Sequence, residues 1–308
     1  MHILLTGGTG FIGSELIKHL VDHHITVLTR SSDQAKSKLK HADFSNIDYV
    51  SCLSTWHNLD HIDAIINLAG EPIATKRWTE SQKQKICHSR WDITQQIVSL
   101  IKASQHPPHT LISGSAVGYY GDQKQHVVME NTPPIVINHS FAHHVCQQWE
   151  NIAMQASSTK TRVCIIRTGI VLGSQGGALL AMLPPFRFGV GGKLGRGNQY
   201  MPWIHIQDEV RAITYLLQQS QTSGTFNLCA PHPVPNKHFS RLLAKTLRRP
   251  CLISTPQWVF KLIMGESRAI LFDSVRAKPK HLTEIGFIFT YSRLEPALKQ
   301  LLQSTGSR

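Results

Sequence analysis

Long apolar runs are missing from this sequence. A bilayer span takes roughly 18 consecutive residues, and the richest stretch, Val163-Cys-Ile-Ile, meets Arg167 after four residues. Aromatic residues are scarce at 7%, and acidic residues number 19 against 32 Lys and Arg, for a net charge of +13 with His neutral. The six cysteines form no CxxC and no zinc-like spacing, so reduced thiols are expected. The Lys and Arg are dispersed, with Arg276-Ala-Lys278-Pro-Lys280 the densest group. Without interleaved aromatics that charge points to small anionic ligands rather than nucleic acid. His19 and His23 stand at i, i+4, but no third ligand accompanies them and no metal site is expected. The opening Met1-His-Ile-Leu-Leu-Thr-Gly7 lacks a basic n-region, so a cytoplasmic location without a membrane partner is expected. At 41% hydrophobic and 17% charged, the composition is globular and excludes disorder and coiled coil.

What recurs along the chain is strand, turn, helix. Residues 2–6 read as a buried strand, and apolar positions 12, 16, 17, 20 and 21 fall at helical spacing. Further strands are expected at 25–29, 64–68, 110–113 and 163–166, with helices around 79–103 and 146–156. Short apolar strands alternating with helices predict an α/β fold with a doubly wound parallel Rossmann sheet and a smaller C-terminal α/β substrate lobe. The expected division is 1–172 for the nucleotide-binding domain, with 203–228 returning to it, and 173–308 mainly for the lobe. Gly173–Gly197 reads as a long glycine-rich loop with one helix at most. Lys193 and Arg196 within it, and Arg276 and Lys278 further on, are candidates for holding an anionic substrate.

The strongest motif is Gly8-Thr-Gly10-Phe-Ile-Gly13, a GxGxxG between a strand and a helix. Gly8 is expected to permit the tight turn, Gly10 the approach of a pyrophosphate, and Gly13 close packing of helix on sheet. The candidate cofactor residues here are Gly7, Gly8, Thr9, Gly10, Phe11, Ile12 and Gly13. An NAD site wants a carboxylate at the end of the second strand, to bind the ribose 2′-hydroxyl. That strand ends Leu28-Thr29-Arg30-Ser31, with no carboxylate until Asp33. Guanidinium grips a 2′-phosphate, so Arg30 predicts NADP(H).

Thr6-Gly-Gly-Thr-Gly-Phe-Ile-Gly13, Asn67-Leu-Ala-Gly70, Ser113-Gly-Ser115-Ala-Val-Gly-Tyr-Tyr-Gly121 and Trp203-Ile-His205-Ile-Gln-Asp208 resemble the extended short-chain dehydrogenase/reductases. Gly70-Glu-Pro-Ile73, Lys76-Arg-Trp78, Ser89-Arg90, Trp149-Glu150 and Arg167-Thr-Gly-Ile-Val-Leu-Gly173 narrow the likeness to the atypical YfcH-like epimerase-family proteins. Gly189-Val-Gly-Gly192, Arg249-Pro250 and Ile285-Gly-Phe287 extend it over nearly the whole chain. The resemblance implies that Asn67, Leu68, Ala69 and Gly70 border the adenosine and ribose side of a cofactor cleft. It implies that Ser115 hydrogen-bonds a substrate oxygen, and that Asp208 belongs to a strand-to-helix joint and caps the following helix. A homodimer is suggested by likeness alone.

One departure matters. The family's Tyr-x-x-x-Lys places a phenol and an ammonium on one helix face. Aligning that helix on Glu150 puts Ala142 and Cys146 at those positions, and neither can move a proton as the pair does. The literal Tyr120-Gly-Asp-Gln-Lys124 lies in an expected turn and is a coincidence of spelling. Substitutes are Tyr119 and Tyr120, in the loop after Ser115, and His143, or its neighbour His144, beside the vacated tyrosine position. Glu150 is expected to be structural. The expectation is an oxidoreductase or nucleotide-sugar epimerase acting at an oxygen-bearing carbon. The alternative is an NADP(H)-binding sensor or assembly factor that has lost hydride chemistry.

Overall fold

The computed structural model describes residues 1–39, 46–135 and 140–303. Its centre is a seven-stranded sheet with β1 at His2–Thr6, β2 at His24–Leu28, β3 at Ile47–Val50, β4 at Ala64–Asn67, β5 at Thr110–Ala116, β6 at Arg162–Thr168 and β7 at Gly224–Leu228. The spatial order is β7-β6-β5-β4-β1-β2-β3, and every pairing in it is parallel. The doubly wound Rossmann sheet is therefore present as expected. A parallel sheet is covered on both faces, which is why its strands are continuously apolar rather than alternating.

Neighbouring residues on one strand feed opposite cores. Ile3, Leu5, Ile25, Val27 and Ile66 pack with Leu16 and Ile17 of α1 (Phe11–Ile17) and with Ile213 and Leu216 of a later helix. Leu4, Ile65, Leu111, Val163 and Ile165 face the other way, toward Ile97 and Ile101 of a long helix and Ile152 of another. These helices are α3 (Glu80–Ala103) and α4 (Phe141–Met154), with α2 at Ser32–Leu39 between β2 and β3. The side chain of Thr79 caps α3 by accepting from Gln82 N, and that of Ser140 caps α4 by accepting from His143 N.

The glycine-rich segment is more ordered than a loop. It holds α5 (Gly177–Arg187), with Pro184 and Pro185 inside it, and the strand Gly192–Leu194, which pairs with Ile253–Thr255. The chain then forms α6 (Ile206–Gln218), returns to the sheet as β7, and adds α7 (Asn236–Thr246), α8 (Gln257–Met264) and the C-terminal helix Leu294–Gln303.

Candidate cofactor and catalytic site

The strand order turns back on itself between β1 and β4, and in such sheets the crevice at the strands' C-terminal ends is the ligand site. The glycine turn sits there. Gly7, not Gly8, has the left-handed backbone at φ +70°, and a Cβ on it would lie 2.5 Å from Leu68 O. The left-handed backbone therefore falls one residue earlier than the spacing predicts, while a Cβ on Gly8 would still lie 2.9 Å from Val27 Cγ1. Gly10 N–H donates to Gly7 O at 2.9 Å and closes the turn. A Cβ on Gly13 would stand 2.3 Å from Gly7 O, so α1 rests directly on the turn, as expected. The helix opens at Gly10 with no side chain capping its N–H groups, which leaves them for an anion.

Phe11 uses its ring elsewhere: a Cβ on Gly173, Gly176 or Gly177 would meet it at 2.4 to 2.7 Å. The run of glycines after β6 thus folds around Phe11 and pins the start of α1. Thr9 and Ile12 are half-buried at the same turn. Arg30 is exposed just past β2, and no ion pair holds it among the described residues. Leu68 and Ala69 are half-buried and Gly70 is exposed, all lying across from the turn.

The side chain of Asn67 is turned into the core. It is fully buried, accepts from Thr6 Oγ1 at 2.6 Å and donates to Thr94 Oγ1 at 2.8 Å. Thr94 in turn accepts from Trp149 Nε1 at 2.9 Å. These bonds tie β1, β4, α3 and α4 together.

Ser115 ends β5 beside its sheet partner Arg167 on β6. Its hydroxyl donates to Glu150 Oε1 at 2.6 Å. Arg167 grips both oxygens of that carboxylate, Nε to Oε1 at 2.9 Å and Nη2 to Oε2 at 2.8 Å, and also donates to Glu130 O at 3.1 Å. All three side chains are buried. Burial opposes the Arg167 charge, but the Glu150 carboxylate outweighs it and holds the guanidinium above its ordinary range. Glu150, an acceptor only while ionised, fixes the Ser115 proton on itself, so Ser115 offers lone pairs to whatever lies beyond.

The tyrosines divide. Tyr120 is fully buried, donates to Asn227 Oδ1 at 2.7 Å, and burial pushes its phenol up to about 12. Its hydroxyl is spent on Asn227 inside the core, which speaks against Tyr120 as a proton carrier. Lys124 turns instead to Asp122, so Tyr120 and Lys124 form no pair. Tyr119 is half-buried and lays its ring over Arg167, 3.5 Å from guanidinium carbon to ring centroid. His143 is buried, not solvated as a helix N-terminus suggests; its Nδ1 lies 2.5 Å from Tyr119 O. A carbonyl only accepts, so Nδ1 donates here, and Nε2 has no hydrogen-bond partner among the described residues. At the lysine position Cys146 is buried, and burial followed by the Glu150 charge pushes its thiol up to about 11. Ala142 packs against Gly118.

Two features escaped sequence reasoning. Asp208 does not cap α6; the ring of His205 does, Nδ1 accepting from Gln207 N at 3.1 Å. Asp208 instead accepts from the N–H groups of Thr290 and Tyr291 at 2.9 and 2.7 Å and anchors the C-terminal segment. Its neighbour Glu209 is fully buried with one partner, Thr168 Oγ1 at 2.8 Å, and its Oε2 has none among the described residues. Burial pushes this carboxyl up to about 8, with Thr168 opposing. A raised folded-state pKa means stability that is complete below the ordinary carboxylate range and is lost as pH rises toward 8. Glu209→Gln is therefore expected to flatten the thermal midpoint between pH 5 and about 8, measured by circular dichroism against the wild type. An unchanged slope would show that Glu209 does not titrate there.

A glycine cradle at the switch point of a doubly wound sheet, with a buried serine two strands away on β5, defines a Rossmann-type dinucleotide-binding protein. Residues 3–229 match the NAD dependent epimerase/dehydratase family, to which the chain belongs, and residues 255–301 match a domain of unknown function, DUF1731. An epimerase family protein of Staphylococcus haemolyticus is 38% identical over 306 residues, covering 98% of this chain and 99% of the relative. Epimerase family protein YfhF of Bacillus subtilis is 36% identical over 308 residues, covering 98% of each. Among solved structures, human epimerase family protein SDR39U1 (isoform 2) with NADPH superposes with a TM-score of 0.88 at 30% identity, covering 98% of this chain and 99% of that one. UDP-glucuronic acid 4-epimerase from Bacillus cereus, at 18% identity over 98% of each chain and a TM-score of 0.77, shares the fold.

Proposed function

We propose that this chain binds NADP(H) and performs hydride chemistry at an oxygen-bearing carbon of a small anionic or nucleotide-sugar substrate. The observation that carries the reading is the cradle of Gly7, Gly10 and Gly13, where a Cβ on Gly7 or Gly13 would strike backbone and uncapped N–H groups face the crevice. Arg30 stands where an NAD site carries a carboxylate, and the human relative crystallised with NADPH agrees with that choice. Gly7 to Gly13 would hold the pyrophosphate, Leu68 to Gly70 would border the adenosine ribose, and Arg30 would hold the 2′-phosphate. The nicotinamide, when bound, supplies or takes the hydride.

The chain's own residues handle the oxygen and its proton. Ser115, its hydrogen held by Glu150, accepts a hydrogen bond from a substrate hydroxyl, which favours an alcohol in the ground state. Tyr119, or His143 through the free Nε2, carries the proton. Burial makes neither Tyr120 nor Cys146 a substitute.

Fluorescence titration with NADPH and NADH tests the cofactor. Tight NADPH binding, weak NADH binding and a loss of roughly ten- to a hundredfold for NADPH in Arg30→Ala are expected, from the worth of a hydrogen bond between charged groups. Equal binding of both cofactors by the wild type would overturn the assignment to NADP(H).

A second reading, a cofactor-binding sensor without turnover, is favoured by one observation: Ala142 and Cys146 stand where the tyrosine and lysine are needed. Oxidation of bound NADPH by any member of a carbonyl and nucleotide-sugar panel excludes it.

A further inference from the structure

Between residues 188 and 263 the chain exposes several large apolar side chains. Phe188 is 82% exposed, Leu252 90%, Trp258 63%, Leu262 68% and Ile263 66%. Hydrogen bonds join the segments that carry them: Arg249 Nε donates to Arg187 O at 2.9 Å, Gly192 pairs with Ile253, and Gly195 N donates to Thr255 O at 2.9 Å. Helix α8, which carries three of the five, has no buried residue. Patches of this kind on an isolated chain mark interaction sites.

Charge narrows the partner. Between residues 151 and 265 the sequence has thirteen Lys and Arg and two acids, Asp208 and Glu209. Both acids are fully buried, so this part of the chain shows no carboxylate to solvent. Arg187, Lys193, Arg196, Arg248, Arg249 and Lys261 are exposed around the apolar residues, and none pairs with a carboxylate among the described residues. The next acid along the chain, Glu266, is taken by Lys83 at 2.7 Å, and Glu295 by Lys245 and Lys299.

We propose that this face docks on an anionic lipid surface, with Phe188, Leu252, Trp258, Leu262 and Ile263 entering the interface and the surrounding Lys and Arg meeting the headgroups. The side chains project from the end of α5, from the residue before the strand Ile253–Thr255, and from α8. A fluid interface accepts that shape without a complementary groove, and an apolar insert within a basic rim is what binds anionic bilayers. A second copy is disfavoured, because like faces would press uncompensated basic charge together. No helix of the described residues is long and apolar enough to cross a membrane, so the contact is with its surface.

Flotation of the full chain with vesicles of phosphatidylcholine alone, and of phosphatidylcholine mixed with phosphatidylglycerol, tests this. Binding to the mixed vesicles only, weakened by salt, is expected. Trp258→Ser combined with Leu262→Ser should weaken it roughly a hundredfold, from the loss of two apolar anchors. Lys193→Glu with Lys261→Glu should abolish the preference for phosphatidylglycerol. All four side chains are largely exposed or on the surface, and an unchanged melting temperature checks each fold. Absence of binding to either vesicle overturns the proposal and leaves the face to an acidic protein. Concentration-dependent dimers dispersed by the Trp258 and Leu262 substitutions overturn it in favour of a second copy.

Discussion

Arg167→Met is expected to lower the unfolding free energy by about 3–5 kcal/mol, because it leaves the Glu150 carboxylate buried without a counter-charge. Glu150 receives two Arg167 hydrogen bonds and the Ser115 hydroxyl, and Arg167 is only 4% exposed, so water cannot replace the guanidinium cheaply. For a chain of this size the thermal midpoint should drop on the order of 10 °C, read by circular dichroism at neutral pH. Arg167→Met with Glu150→Met removes both charges and should recover most of the loss, since replacing a whole buried pair by apolar side chains is often neutral. If the double variant melts no higher than the single one, the penalty lies in lost packing under Tyr119 rather than in the orphaned carboxylate. The same pair of variants separates stability from chemistry. The double variant releases the Ser115 proton from its fixed direction, so it should regain its fold without regaining the ordered acceptor at the end of β5.

This network shows where sequence reasoning stops. The sheet was legible because parallel strands buried on both faces, such as Ile3-Leu-Leu5 and Ala64-Ile-Ile66, are apolar at successive positions, and because glycine is demanded wherever a Cβ would strike backbone. Gly13 could be placed by spacing; the positive φ could not, and it fell on Gly7. Side-chain pairing across elements was not legible. Nothing in the spelling of the chain says that Glu150 on α4 meets Arg167 on β6, although Ser115 and Arg167 both stand in motifs the sequence singled out. Nor could the spelling show that the amide of Asn67, within a cofactor motif, turns inward to Thr6 and Thr94. His205 took the capping role expected of Asp208 because a histidine ring nitrogen can accept a helix N–H. The charge on the C-terminal lobe was countable from the start. Between residues 151 and 265 its meaning depended on burial, which hides Asp208 and Glu209, the two acids there, and leaves basic side chains outside.

The glycine cradle yields a pair of variants that separates folding from cofactor binding. In Gly13→Ala the new methyl would lie 2.3 Å from Gly7 O and 2.7 Å from Gly8 Cα, both backbone atoms. No rotamer change relieves that clash. Helix α1 must lift from the turn, disturbing Leu16 and Ile17, which are fully buried against the sheet. Overpacking of this kind costs about 1–3 kcal/mol, and a shift of about 1 Å in a binding cradle is expected to weaken NADPH roughly a hundredfold. Gly10→Ala differs. Its backbone is extended at φ −78°, and the added Cβ would approach only Gly7 O, at 3.1 Å. The fold should tolerate it within about 1 kcal/mol, yet the methyl projects where a pyrophosphate must approach the backbone. Gly10→Ala should therefore keep the wild-type melting temperature and lose NADPH in the same fluorescence titration, whereas Gly13→Ala loses both. Undiminished NADPH binding by folded Gly10→Ala would place the dinucleotide away from this turn and would remove the physical basis for reading the crevice as its site.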